Sequence, residues 1–246
     1  YDHCNLISIK REFGRVSDVV KTTDGSGHCG IRIKEFYPNE YDDYDDDEKT
    51  VHRFIGKAPK ILEIGVQNGG SIDMWVKYFG EGTKVVGVDI NEECLDYKFN
   101  GDAEVVIGDQ GNPRMWEQFL SVEEPFDIVI DDGSHVMNHQ ITTLSHVFPH
   151  MNPGGVFICE DTHTSYWPQP WGGTFRGAGT FLEHSKRTTD ILNQQHFQGT
   201  PIAEDSLAAY KNLYSVAFYN SMVVMEKEEL KPFGITDNKA NVGREL

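Results

Sequence analysis

The sequence predicts an α/β fold in which a mostly parallel sheet is covered by helices. From residue 60 onward, short apolar runs alternate with longer helix-like stretches, as expected when helical crossovers join parallel strands. The runs are continuously apolar at their centres, which is typical of strands buried on both faces. Near the C-terminus, two further runs flank the polar residues 219–221 and predict an antiparallel hairpin at the sheet edge.

The predicted elements follow one another in a regular order. Strands are predicted at residues 60–63, 84–89, 104–107, 126–131 and 155–160, and hairpin strands at 213–218 and 222–226. Helices are predicted at residues 71–79, 114–119, 137–150 and 179–195. The expected domain boundaries are a helical and acidic cap at 1–58, the main domain at 59–230 and a tail at 231–246.

Charge and composition exclude several classes of protein. The 246 residues carry a formal net charge of −17, which repels nucleic acid. The apolar runs are too short to cross a bilayer, so no membrane association is expected. The cysteines form neither a C-x-x-C pair nor a disulfide framework, which favours reduced thiols and a cytoplasmic location. The chain begins at Tyr1 without a signal sequence and is expected to be a piece of a longer product.

A glycine-rich turn follows the first predicted strand and contains Glu63, Gly65, Asn68 and Ser71. Glycines at such a junction let a ligand approach backbone amides at the N-terminus of a helix. A dinucleotide-binding turn has the pattern G-x-G-x-x-G, but Gln67 stands two residues after Gly65, which weakens that interpretation. The turn therefore predicts a different nucleotide-like cofactor, with a purely structural turn as the alternative.

Acidic residues end the next two strands. Asp89 ends the second strand, where a carboxylate can accept hydrogen bonds from both hydroxyl groups of a ribose. Asp109 and Gln110 follow the third strand. They are candidates for further cofactor contacts, and capping of the following helix is the alternative.

Four carboxylates follow the fourth and fifth strands, namely Asp131, Asp132, Glu160 and Asp161. If the two strands are neighbours, about 4.8 Å apart, their carboxyl ends bring these groups together where open α/β sheets bind ligands. Such a cluster repels itself unless a cation lies within it, and an all-oxygen donor set favours Mg²⁺ over zinc. We expect Asp132, Glu160 and Asp161 to bind the metal and Asp131 to face the cofactor; solvated carboxylates at strand ends are the alternative.

His135 lies three residues after Asp132 and is the predicted general base. A neutral imidazole there can take the proton of a hydroxyl group whose pKa a metal has lowered. His139, His146 and His150 recur at helical spacings, but the glutamate of H-E-x-x-H is missing, so helix packing is expected rather than a zinc site.

Together these segments resemble the metal-dependent, class I S-adenosylmethionine-dependent sugar O-methyltransferases of the macrocin and mycinamicin type. The resemblance covers roughly residues 16–226. It rests mainly on 63–71, 131–135, 146–155, 160–167 and 218–224. It implies a Rossmann-like methyltransferase sandwich with a mostly parallel seven-stranded sheet, an antiparallel C-terminal hairpin and an N-terminal helical cap. The implied cofactors are S-adenosylmethionine and Mg²⁺.

Matching positions imply the roles of single residues. The glycine-rich turn would hold the methionine end of the cofactor, and Asp109 would face its adenine. Asp132, Glu160 and Asp161 match the metal ligands of the family, and His135 matches its base. Two departures stand out, since Gly25 follows Thr23-Asp24 where relatives often carry lysine, and residues 39–48 are unusually acidic.

The resemblance implies transfer of a methyl group to a hydroxyl of a sugar or polyol on a natural product, as in antibiotic biosynthesis. A catechol or another vicinal diol is the alternative acceptor. A methyltransferase-fold domain of a larger biosynthetic enzyme and a non-catalytic binding domain are further alternatives, and iron-dependent oxidation is a remote one. Trp167, Trp171 and Tyr166 are candidates to stack on the acceptor, and a homo-oligomer, dimer or tetramer, is expected.

Overall fold

The computed structural model describes residues 51–196, 198 and 209–229. Residues 1–50 of the predicted N-terminal cap, which include the acidic run 39–48, and the tail 231–246 therefore lie outside the described residues. The predicted division into cap, main domain and tail stays a prediction.

Seven strands of the described part form one sheet with the order β3-β2-β1-β4-β5-β7-β6. The strands are β1 (Lys60–Ile64), β2 (Lys84–Asp89), β3 (Asp102–Ile107), β4 (Ile128–Asp131), β5 (Val156–Cys159), β6 (Leu213–Tyr219) and β7 (Met222–Lys227). The first five are parallel, whereas β7 runs antiparallel to both β5 and β6. The predicted parallel sheet with an antiparallel hairpin is confirmed.

Helices connect the parallel strands. They are α1 (Gly70–Phe79), α2 (Pro113–Leu120), α3 (Met137–His150) and α4 (Phe181–Leu192). Local sequence explains two of the starts: the side chain of Asn112 accepts a hydrogen bond from the backbone of Arg114 before α2, and Thr180 caps α4 in the same way. Helix α4 ends three residues before the predicted bound, and a short 3₁₀ turn, Gln194–His196, follows.

Side-chain alternation along the strands builds a core on each face of the sheet. Ile61 and Ile128 pack with α1 residues in one buried cluster, whereas Leu62 and Val129 pack with α2, α3 and α4 residues in the other. Trp116 and Phe148 are fully buried in that second cluster. Because both faces of the sheet are covered, a ligand can reach the central strands only at their ends.

The strand order reverses direction at the β1–β4 pair. From β1 the chain adds β2 and β3 on one side, and β4 and β5 on the other. In open α/β sheets the crevice at the carboxyl ends of the strands beside such a reversal is the usual ligand site. Here the amide of Asp132 donates to the carbonyl of Ile64 at 3.0 Å, so the segments leaving β4 and β1 remain in contact beyond the sheet.

Among the helices of the described residues, none combines the length and the apolar character needed to cross a membrane.

Candidate active site at the carboxyl edge of the sheet

The glycine-rich turn between β1 and α1 lies directly against the turn that follows β4. Gly65 has a φ of +93°, in the region that side chains disfavour. A Cβ atom at Gly65 would collide with the carbonyl oxygen of Asp132 and would lie 2.8 Å from the carbonyl carbon. Only glycine allows the two turns to approach this closely.

The other predicted residues of this turn occupy distinct environments. Glu63 is 1% exposed at the end of β1. The side chain of Asn68 is exposed and accepts a hydrogen bond from the backbone of Gly70 at 3.2 Å. Ser71 lies in the first turn of α1, where backbone amides are left without partners inside the helix. The turn thus offers amides and small polar side chains to a ligand.

Asp89 holds the end of β2 against the glycine-rich turn. Its carboxylate accepts hydrogen bonds from the amides of Val66 at 2.8 Å, Gln67 at 3.0 Å and Asn91 at 2.8 Å. A carboxylate has about four acceptor positions, so these bonds leave it room for a ribose hydroxyl. The predicted ribose contact stays a prediction, and the structure adds a second role in shaping the turn.

Asp109 and Gln110 differ sharply although they are adjacent. Asp109 is exposed, and its carboxylate accepts from the amide of Gly111 at 2.8 Å. Gln110 is buried and donates to Asp131 at 3.0 Å and to Thr143 at 3.1 Å. A direct cofactor contact of Gln110 stays a prediction, and its side chain is held by Asp131, Thr143 and the backbone of Ser134.

All four predicted carboxylates gather around one buried thiol. Burial, and after it the charges of Asp131, Glu160, Asp132 and Asp161, raise the pKa of Cys159 well above its usual range. Asp131 and Cys159 are partners across the β4–β5 ladder, which confirms that the two strands are neighbours. Three of the carboxylates are nearly inaccessible, with exposed fractions of 0% for Asp131, 1% for Glu160 and 7% for Asp161.

Asp131 is the most deeply buried of the four. Burial raises its pKa to about 6, against the opposing effects of a hydrogen bond from Gln110 and the charge of His135. Its Oδ1 accepts from Gln110, whereas its buried Oδ2 has no hydrogen-bond partner within the described part of the chain. A buried carboxylate oxygen of this kind is costly unless a ligand satisfies it.

The donor atoms that converge come from Asp132, His135 and Asp161, and all lie within 4.8 Å of one another. The distance from His135 Nε2 to Asp161 Oδ2 is 3.6 Å. Two carboxylates and an imidazole form a donor set that suits a divalent cation. The set differs from the predicted one in one member, since His135 takes the place of Glu160.

Two of the three converging residues have strained backbones. His135 and Asp161 have φ values of +56° and +52°. Such conformations cost about 1–3 kcal/mol each for a non-glycine residue and persist only when the surroundings impose them. The buried hydroxyl of Thr164 supplies part of that restraint, because it lies 3.0 Å from the carbonyl oxygen of His135 and 2.9 Å from that of Asp161.

Two residues to which the sequence analysis gave no role also reach the site. His163 Nδ1 lies 3.8 Å from Asp161 Oδ1 and 2.5 Å from the hydroxyl oxygen of Ser221. Ser221 belongs to the turn between β6 and β7, and its carbonyl accepts from the amide of Thr162 at 3.1 Å. His163 and Ser221 lie in segments 160–167 and 218–224, which carry the resemblance, but the resemblance gave neither of them a role.

The three other histidines that recur at helical spacings contact neighbouring polar groups, and their expected packing role stays a prediction. His139 Nδ1 lies 2.9 Å from the hydroxyl oxygen of Ser134, His146 Nδ1 contacts the carbonyl of Thr142, and His150 Nε2 contacts that of Glu123. None of the three belongs to the converging donor set found among the described residues.

An aromatic segment follows directly after Asp161. Tyr166 is 50% exposed and stacks against Phe175, which is 73% exposed, at a centroid distance of 6.3 Å. Trp167 packs edge-on against His163 at 4.5 Å and Trp171 at 5.0 Å. The carbonyl of Trp171 accepts from the amide of Met137, which anchors the segment beside the start of α3.

Comparison with known proteins finds that the chain is similar to methyltransferases. A family model described as a methyltransferase domain matches residues 62–162. The 8-demethyl-8-alpha-L-rhamnosyl tetracenomycin-C 2'-O-methyltransferase of Streptomyces olivaceus is 33% identical over 187 residues, which are 73% of this chain and 48% of that protein. The demethylmacrocin O-methyltransferase of Streptomyces fradiae is 33% identical over 193 residues, or 73% and 47% of the two chains.

Solved structures agree with the sequence relatives. The MycE methyltransferase from the mycinamycin biosynthetic pathway, in complex with Mg and SAH, matches with a TM-score of 0.67 and 29% identity over 74% of this chain and 48% of that chain. These matches confirm the fold and the resemblance stated from the sequence. The chain spans about half the length of the curated relatives it matches.

Proposed function

We propose that this chain, which contains a methyltransferase domain and is a relative of sugar O-methyltransferases, is a Mg²⁺-dependent O-methyltransferase. It would transfer the methyl group of S-adenosylmethionine to a hydroxyl of a sugar or polyol on a natural product. The observation that carries the proposal is the convergence of Asp132, His135 and Asp161 beside the glycine-rich turn. Methyl donor and acceptor hydroxyl would meet where these two turns touch.

The cofactor would lie along the carboxyl ends of β1, β2 and β3. Glu63, Gly65, Asn68 and Ser71 would surround its methionine end, with the amides of the glycine-rich turn facing its carboxylate. Asp89 would bind the ribose and Asp109 the adenine, because both carboxylates keep acceptor capacity. Asp131 would face the cofactor with its buried Oδ2.

The metal ligands would be Asp132, Glu160 and Asp161, as the resemblance implies. A divalent cation bound there would balance the carboxylate charge and lower the pKa of a nearby acceptor hydroxyl. Zinc is disfavoured because carboxylates dominate the site.

The chain's own groups would manage the proton. His135 Nε2 would take the proton of the acceptor hydroxyl while the oxygen attacks the methyl carbon of S-adenosylmethionine. An O–C bond forms, the S–C bond breaks and S-adenosylhomocysteine leaves with the electron pair. Proton removal contributes about 10²- to 10⁴-fold and positioning supplies much of the remainder.

The acceptor class rests on the relatives and on the aromatic segment. Both relatives described above are named for O-methylation of glycosylated or macrolide compounds. Exposed rings at Tyr166 and Phe175 offer a flat apolar surface of the kind on which a sugar ring or aglycone stacks. A homo-oligomeric state and a cytoplasmic location stay predictions.

Calorimetry on the full chain tests the proposal in two steps. S-adenosylhomocysteine is titrated into metal-free protein, and Mg²⁺ is then titrated into the complex. We expect both to bind, and we expect Asp132→Asn to abolish the Mg²⁺ step while leaving cofactor binding measurable. Absence of cofactor binding in the wild type would refute methyl transfer, and an unchanged Mg²⁺ step in Asp132→Asn would refute the metal site.

Two further measurements separate the finer assignments. Glu160→Gln should weaken Mg²⁺ binding at least 10-fold if Glu160 is a ligand, whereas an unchanged affinity would leave the ligands as the converging set with His135. Transfer of labelled methyl from S-adenosylmethionine is then measured on rhamnosides of polyketides and on catechol. Methylation of catechol alone would refute the sugar assignment.

A further inference from the structure

Gln110 lies between the two halves of the proposed site. We infer that its side chain is a positioning residue that couples cofactor binding to metal binding, so that S-adenosylhomocysteine and Mg²⁺ each tighten the binding of the other. The inference rests on the proposed function, because it presumes that both ligands bind.

Hydrogen bonds fix the backbone around Gln110 beside the proposed cofactor residues Asp89 and Asp109. Gln110 follows Asp109, the proposed adenine residue, and its carbonyl accepts a hydrogen bond from the indole of Trp116 at 2.8 Å. Trp116 belongs to α2, and its side chain is fully buried. The amide of Gly108, two residues earlier, donates to the carbonyl of Asp89 at 2.8 Å, which ties the same loop to the proposed ribose residue.

Hydrogen bonds fix the side chain of Gln110 against the end of β4, the turn that follows it and helix α3. Its amide nitrogen donates to Asp131 Oδ1 at 3.0 Å and to Thr143 Oγ1 at 3.1 Å. Its amide oxygen accepts from the backbone N–H of Ser134 at 2.5 Å. Both donor hydrogens and one acceptor position are thus in use, in a group that is only 6% exposed.

These bonds enclose the turn that carries two of the three converging donors, Asp132 and His135. Asp131 and Ser134 bracket Asp132, and the strained His135 comes next. Gly133 packs so closely on Gln110 that an added Cβ would collide with its amide oxygen. The turn therefore cannot shift without breaking bonds to Gln110, and Gln110 cannot shift without disturbing the loop of Asp109.

Coupling follows from shared ordering. A ligand at Asp109 that restrains the loop also restrains Gln110 and, through it, the metal-binding turn. The second ligand then meets a turn that is already ordered, which is the basis of positive cooperativity. Thermodynamic linkage requires the same factor in both directions, and factors of about 5- to 150-fold are typical.

The test measures four dissociation constants by calorimetry on the full chain. S-adenosylhomocysteine is titrated with and without saturating Mg²⁺, and Mg²⁺ with and without saturating S-adenosylhomocysteine. In the wild type we expect each ligand to tighten the other about 5- to 20-fold. Gln110→Met, which keeps the side-chain length and removes every side-chain hydrogen bond, should reduce this factor to below about 2-fold.

Two more variants separate coupling from stability. Asn152→Leu removes a matched amide-to-carboxylate bond, from Asn152 to Asp127 at 2.8 Å, just before the start of β4 and so at the opposite end of the strand. It should lower thermal stability yet keep the wild-type coupling factor. Thr143→Val removes one of the three hydrogen bonds of the Gln110 side chain and should give an intermediate factor. It carries the test if Gln110→Met does not fold.

The outcomes distinguish the inference from its premise. Binding of both ligands without coupling in the wild type would overturn the inference alone, as would an unchanged factor in Gln110→Met or Thr143→Val. Loss of coupling in Asn152→Leu would overturn it too, since any weakening of β4 would then suffice. No binding of S-adenosylhomocysteine to the wild type would refute the proposed function, and the inference with it.

Discussion

Replacing Gly65 by alanine tests the contact between the glycine-rich turn and the proposed metal-binding turn. Gly80 provides a matched control, because its φ of +95° is nearly that of Gly65 at +93°. An added Cβ at Gly80 would meet no atom within 4 Å, whereas at Gly65 it would collide with the backbone of Asp132. The two substitutions therefore share an unfavourable positive φ and differ in the steric contact.

The expected loss of stability can be estimated for each variant. Alanine at such a φ costs about 1–2 kcal/mol, so Gly80→Ala should lower the free energy of unfolding by that amount. At Gly65 the Cβ would also lie 2.8 Å from the carbonyl carbon of Asp132 and 3.0 Å from the Cα of Gly133. Forcing backbone apart adds roughly 1–3 kcal/mol, which gives about 2–5 kcal/mol in total.

Urea unfolding gives the two stabilities, and titration with Mg²⁺ gives the functional consequence. We expect Gly65→Ala to lose at least 10-fold in Mg²⁺ affinity, since the displaced backbone carries Asp132, and Gly80→Ala to keep the wild-type value. The reasoning is wrong if the two variants unfold within about 0.5 kcal/mol of each other and bind Mg²⁺ equally well.

Three further predictions concern residues that hold the site and the sheet. Lys227→Met should lower the free energy of unfolding, measured by urea titration, by about 2–4 kcal/mol. The reason is that the buried ammonium donates to three carbonyls at the end of α3. A loss below about 0.5 kcal/mol would contradict this prediction. Burial raises the pKa of Glu226, but hydrogen bonds from Arg53 and Ser215 and the charge of Arg53 together outweigh burial and hold the pKa below the usual 4.5. The stabilisation from Glu226 is therefore present above pH 4.5 and is lost as the pH falls through the lowered value. Arg53→Met should flatten this acid dependence, by less than about 1 kcal/mol, in thermal unfolding between pH 3 and 6, and an unchanged profile would argue against the ion pair. Thr164→Val should weaken Mg²⁺ binding about 10-fold and Thr164→Ser should restore it, whereas equal affinities would show that the hydroxyl does not restrain the strained turns.

Much of the fold was predictable because strand burial leaves a clear pattern. The runs around Ile61, Val86 and Val129 are apolar on successive residues, which only burial on both faces explains. The bounds of β4 and of the hairpin were less predictable. Strand β4 begins at Ile128, two residues after the predicted start at 126, although the backbone of Asp127 still bonds to Lys60 and Val156. Tyr219 pairs with Met222, so the turn between β6 and β7 is only two residues long.

The candidate site was predictable in place but not in detail. Parallel neighbours bring the residues after β4 and β5 together, so the gathering of four carboxylates followed from strand order alone. The backbone angles decide which side chains converge, and these angles cannot be predicted from the residue types. His135 and Asp161 adopt positive φ, and these turns aim both side chains at Asp132. The burial of Gln110 could not be predicted from the sequence either. An amide side chain next to Asp109, the candidate cofactor residue, is equally compatible with a contact to the ligand.

The antiparallel direction of β7 gives the hairpin a functional position. A parallel strand beside β5 would begin at the far edge of the sheet, away from the carboxylates. Because β7 runs the other way, Val223 pairs with Cys159 at the carboxyl end of β5, and the turn before β7 falls at the edge where the site lies. Ser221 in that turn therefore reaches both the amide of Thr162 and the ring of His163. The hairpin closes the sheet and at the same time supports the strained segment that carries Asp161.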